Sequence, residues 1–104
     1  MPDPPDRDAW GVRTRTEPGT LHTTLVVSGR IGTDGARALR AALWEVATPG
    51  GTVRVDLAGV DYISSAGLAV LREVATLQRT SGGLLEIDNP SEMVSLALRL
   101  AGGL

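Results

Sequence analysis

The chain has 104 residues, a formal net charge of −2, no cysteine and no lysine, so arginine supplies every basic side chain. That length suits one domain with one core, and the missing cysteines exclude disulfides, zinc–thiolate sites, iron–sulfur clusters and thiol catalysis. A slight acidic excess and only three aromatic residues, Trp10, Trp44 and Tyr62, argue against nucleic-acid binding, which draws on excess cations and stacking platforms.

Residues 1–9, MPDPPDRDA, carry prolines and aspartates and no apolar run, which predicts a flexible tail. A signal peptide would carry bases and then an apolar stretch, and no apolar run approaches the ~20 residues that span a bilayer. The expectation is a cytoplasmic protein with no membrane insertion. WGVRTRT (10–16) alternates Val12, Thr14 and Thr16 with arginines and reads as an edge strand. Such an edge would let a homodimer form by strand pairing. EPGT (17–20) is a turn signal, and LHTTLVVSGRI (21–31) is the hairpin partner, rich in β-branched residues.

Over 33–47 the spacing turns helical, with Thr33 or Asp34 as the expected cap and Ala36, Leu39, Leu43 and Val46 as the buried stripe. Trp44 falls off that stripe. TPGG (48–51) stops the helix, and TVRVDLA (52–58) alternates as a strand should. A short connection, GVDYI, then leads to Ser64 and Ser65. A second helix is expected over 66–80, burying Leu68, Leu71, Val74, Ala75 and Leu77, followed by a strand over 84–88. Asn89, Pro90 and Glu92 predict the cap and first turn of a last helix that runs to about Ala101. The element order ββαβαβα predicts a mixed sheet of about four to five strands with helices packed on it, an α/β sandwich. The domain is expected to span 10–104, after the tail.

Catalytic and metal-binding patterns are sparse. His22, the sole histidine, lies in a strand pattern and reads as structural. Asp56 and Asp61 show no metal-ligand spacing. Ser65, His22 and Asp56 compose a hydrolytic triad on paper, but the G-x-S-x-G elbow is missing. Without lysine there is no Walker A motif and no Schiff base. GRIGTDG (29–35) lacks the G-x-G-x-x-G spacing and reads as a strand exit. The expectation is a protein that is not an enzyme and holds no cofactor.

The adjacent hydroxyls of Ser64 and Ser65 open a helix. Serine is among the best N-cap residues, and one serine suffices for that. Taking Ser64 as the cap places Ser65 in the first turn, beside the positive end of the helix dipole, where a phosphate is well tolerated. VRVDLAGVDYISSAGLAVL (53–71) resembles the central motif of STAS domains, in particular those of bacterial anti-sigma factor antagonists. VVSGRIG (26–32) is similar to the family's strand exit and GGLLEIDNPSEMVSLALRLAGGL (82–104) to its last strand and helix, so the likeness runs over all but the tail.

The resemblance implies an α/β STAS-like sandwich and a phosphoacceptor two residues before the motif glycine, which is Ser65 before Gly67. It implies an unphosphorylated antagonist that binds an anti-sigma factor, a serine kinase of GHKL type, and so frees a sigma factor. The kinase's phosphate breaks the complex and a PP2C-type phosphatase restores it. Ser64, Ala66, Gly67 and Leu68, with Arg30 and Gly32 at the strand exit, form the implied partner-binding neighbourhood, and Trp44 is a candidate second contact. Ser64, Ala66 and Gly32 stand where many members have Asp, Ser or Thr, and Asp. The resemblance also admits a constitutive STAS subunit of a membrane lipid transporter, bound to its ATPase without need of a phosphate.

Overall fold

The computed structural model describes residues 10–16 and 22–102, so the tail expected over 1–9 and the turn expected over 17–20 lie outside the described residues. Seven elements follow one another: β1 (Trp10–Thr16), β2 (His22–Ile31), α1 (Thr33–Val46), β3 (Thr52–Ile63), α2 (Ser65–Thr80), β4 (Leu84–Asp88) and α3 (Glu92–Leu100). The strands form a single four-stranded sheet in the order β1-β2-β3-β4. β1 runs antiparallel to β2 and the other neighbours pair in parallel. The mixed α/β sandwich read from the sequence is the observed fold, with four strands.

Side chains alternate across a strand, and directly paired residues share a face. Val12 pairs with Val27, Leu25 with Val55, and Val53 with Leu85. These residues belong to or pack against one core that also takes Leu39 and Leu43 of α1, Leu71 and Val74 of α2, and Val94 of α3. The opposite face carries Arg13, Thr24, Val26, Arg54, Asp56, Glu86 and Asp88, none of them buried. There Arg54 Nε lies 3.4 Å from Glu86 and 3.5 Å from Asp88, bridging β3 to β4. The helices thus cover one face and water wets the other.

β3 runs five residues past the strand expected over 52–58 and takes in the GVDYI segment. The reason is irregular pairing. Register shifts between Val26 and Ser28 and between Gly29 and Arg30 carry β3 past β2 faster than one residue for one. The buried positions therefore fall at Val53, Val55 and Leu57, then Val60 and Ile63. Alternation fails as a signal where bulges intervene.

Helix starts also differ from expectation. α1 is capped by Gly32, with no side-chain bond, rather than by Thr33 or Asp34. α3 is capped by Ser91, whose hydroxyl accepts from Val94 N–H at 3.2 Å, while Asn89 sits at φ 53 in the turn before it. In α2, Leu77 is exposed and Gln78 is buried in its place. The Gln78 amide donates to the carbonyls of Gly51 at 3.0 Å and Thr48 at 3.3 Å, so the α1–β3 loop and not apolar packing claims that position.

Candidate functional site

β2 and β3 end side by side, with Ile31 opposite Ile63. Each chain then turns into a helix, so α1 and α2 start at the same end of the sheet. The carboxyl ends of parallel strands are where open α/β sheets place their ligands. A backbone bond ties the two exits, Ser64 N–H to Ile31 O at 2.8 Å. Two glycines bring the first helical turns down onto Ile31. A Cβ on Gly35 would lie 3.4 Å from Ile31 Cγ2, and one on Gly67 would lie 3.2 Å from the same atom and 2.7 Å from Ile63 Cγ1. The amino termini of α1 and α2 therefore converge over one isoleucine.

The two serines divide the work of that corner. Ser64, at φ −76 and ψ 167, is the N-cap of α2, and its Oγ accepts from Gly67 N–H at 3.2 Å. Ser65 is the first helical residue and is exposed, as is Ala66 beside it. An α-helix leaves its first four N–H groups without an intrahelical acceptor, and its amino end carries partial positive charge. The Ser65 hydroxyl thus faces water at the electropositive end of a sixteen-residue helix, adjacent to α1, whose own amino end has no side-chain cap. Negative charge at Ser65 would meet the positive end of the α2 dipole, whose first turn holds no acid, while the first turn of α1 already carries Asp34.

Of the other residues expected here, Gly67 is buried against Ile63, Leu68 packs on the core, and Gly32 forms the α1 cap. Arg30 alternates with Ile31 and so points to the opposite sheet face, where its guanidinium lies 4.6 Å from the centroid of the Tyr62 ring. Tyr62 is 40% exposed and pairs with Arg30 in the register. It was not among the expected site residues. Its signal in the sequence was an aromatic two positions before the serines. Trp44 is not brought to this corner. It stands eleven residues along α1 from Thr33, about 16 Å down the helix axis, with 51% of its surface exposed. Among the described residues, no group of three or more His, Asp or Glu is placed to hold a metal ion, and no helix is long and apolar enough to cross a membrane.

A family model described as "Mlab, STAS domain" matches residues 16–103. The chain belongs to the STAS family. Solved structures share its fold at low identity. An anti-sigma factor antagonist from Mycobacterium paratuberculosis is 21% identical, with a TM-score of 0.79 over 93% of this chain and 81% of its own. The anti-sigma factor antagonist SpoIIAA in its unphosphorylated form is 14% identical, with a TM-score of 0.74 over 88% of this chain and 81% of its own. The phosphorylated form, described as a Bacillus cell fate determinant, has a TM-score of 0.69 over 90% of this chain and 84% of its own, again at 14% identity. No curated protein sequence matches the chain significantly.

Proposed function

We propose that this STAS protein is an anti-sigma factor antagonist, switched off by phosphorylation of Ser65. The observation that carries the reading is the division between the two hydroxyls. Ser64 Oγ is engaged as the helix cap, whereas Ser65 is exposed at the amino end of α2. SpoIIAA, an anti-sigma factor antagonist of the same fold, exists in unphosphorylated and phosphorylated forms, which supports a switch that leaves the fold intact. In this reading the partner is an anti-sigma factor of GHKL kinase type that supplies the ATP, and a PP2C-type phosphatase resets the system. The protein acts in the cytoplasm and has no catalytic group of its own.

A phosphoserine carries about −1.5 to −2 charges at neutral pH. On the free protein the amino end of α2, which holds no acid in its first turn, stabilises it. In a complex it must lose water and face whatever partner surface had met a neutral hydroxyl. A 100-fold loss of affinity requires about 2.7 kcal/mol, within the cost of burying one poorly paired charge.

A second reading is a constitutive STAS subunit of a membrane lipid transporter, bound to an ATPase. The matching family model is described as Mlab and not as an antagonist, and Ser64 and Gly32 stand where many antagonists carry acids. Binding assays with the GHKL-type kinases of the same organism separate the two. The antagonist reading predicts that wild type and Ser65→Ala bind one of them and that Ser65→Asp binds at least about tenfold more weakly. Equal binding by all three forms, or co-purification with an ABC-type ATPase alone, contradicts it.

A further inference from the structure

Trp44 stands at the carboxyl end of α1, away from Ser65, and lines two hollows of unlike character. On one side a hollow of about 170 Å³ is walled mostly by Ala47, Pro49, Val74 and Leu77, together with Gln78 and Ser81. On the other an open hollow is bounded by Arg37, Arg40 and Ala41. Trp44 and Leu77 are 51% and 43% exposed and border the same mostly apolar hollow. The charged residues lining the open hollow are both cationic, Arg37 and Arg40. The outer faces of α1 and α2 as a whole carry Arg37, Arg40, Arg72 and Arg79 against Asp34, Glu45 and Glu73, in a chain whose net charge is −2. Among the described residues only Arg40 of these four arginines has an ion-pair partner, Glu73 at 3.0 Å.

We propose that this surface docks an acidic amphipathic helix of a protein partner. An apolar side chain fills the hollow beside Trp44, and carboxylates one to two helical turns away meet Arg37 and Arg40. The apolar part is concave, which suits an inserted side chain; a lipid surface is met by protruding apolar groups. The arginines select acidic helices, and an exposed tryptophan beside a pocket is the residue type that dominates binding energy. The site lies at the far end of α1 from the Ser65 corner, so docking here does not require a free Ser65 hydroxyl. It is a second interaction surface, distinct from the proposed switch.

The test pans a displayed library of random peptides of roughly four helical turns on the full chain. Selected peptides are then titrated against wild type, Trp44→Ala, Arg37→Glu and Ser65→Asp, with circular dichroism confirming that each variant is folded. The expected consensus places an apolar residue one to two turns from acidic ones. Trp44→Ala should weaken binding about 30-fold and Arg37→Glu about tenfold, while Ser65→Asp leaves it unchanged. No enrichment, a basic consensus, or peptides indifferent to both Trp44→Ala and Arg37→Glu would overturn the proposal. So would the absence of peptide binding together with Trp44-dependent binding to phosphatidylglycerol–phosphatidylcholine vesicles, which would assign the surface to a membrane.

Discussion

Ser64 and Ser65 are chemically identical and adjacent, yet one turn of backbone gives them different environments. The Ser64 hydroxyl satisfies the Gly67 amide, so Ser64→Ala should cost about 1 kcal/mol of stability. Ser65→Ala removes an exposed hydroxyl and should change stability by less than about 0.5 kcal/mol. Urea denaturation of the two variants checks the contrast, and equal losses would contradict the division. Gly67 is the other residue on which the corner depends. Alanine would ordinarily favour a helix over glycine by about 1 kcal/mol, but its Cβ would lie 2.7 Å from Ile63 Cγ1. That branch is buried and cannot swing aside, so Gly67→Ala should destabilise by about 1–3 kcal/mol; a stabilised variant in the same assay would show the contact to be absent. The sequence made the cap and the exposed serine legible, because S-S before a helical stripe has few other readings. It did not reveal the Arg30–Tyr62 stack, which depends on a register set by bulges.

At the scale of elements, the strands and helices were legible wherever one period held throughout. Val53, Val55 and Leu57 announce a strand, and Ala36, Leu39 and Leu43 announce a helix. The signal failed where a bulge changed the interval, as at Val60 and Ile63, and where a polar side chain had a tertiary task. Gln78 is the second kind. Its amide holds the α1–β3 loop through Thr48 O and Gly51 O, yet both carbonyls also accept a backbone bond, from Gly51 N–H and Leu84 N–H. Gln78→Leu should therefore cost only about 1–2 kcal/mol. The loss should appear as faster amide exchange around Thr48–Gly51, with the far ends of β2 and β3 unaffected. Uniform loss of protection across the sheet would mean that Gln78 supports the core rather than the loop. The Arg54 bridges to Glu86 and Asp88 join half-exposed side chains on the open face. Removing Arg54 should cost less than about 1 kcal/mol.

Across the whole molecule, one sheet face is wet and the other bears a helical layer with two ends of unlike character. Both helices rise from the strand exits, where their amino termini meet over Ile31, and both carry outward arginines towards Trp44 and Leu77. The Ser65 end suits a reversible charge, and the Trp44 end suits a constant contact. Topology was legible because the strand–helix–strand order admits few arrangements. That Trp44 lies apart from the serines follows from eleven residues of helix, but that it borders one hollow with Leu77 of α2 could not be read from a linear sequence, which does not show how two helices pack. A phosphate on Ser65 and none on Ser64 is what makes this corner a switch. Fragment mass spectrometry of the protein purified from its own host, with phosphatases inhibited, reads both serines at once. The expected result is a phosphate on Ser65 and an unmodified Ser64. Two unmodified serines under growth and stress alike, or a phosphate on Ser64, would contradict it.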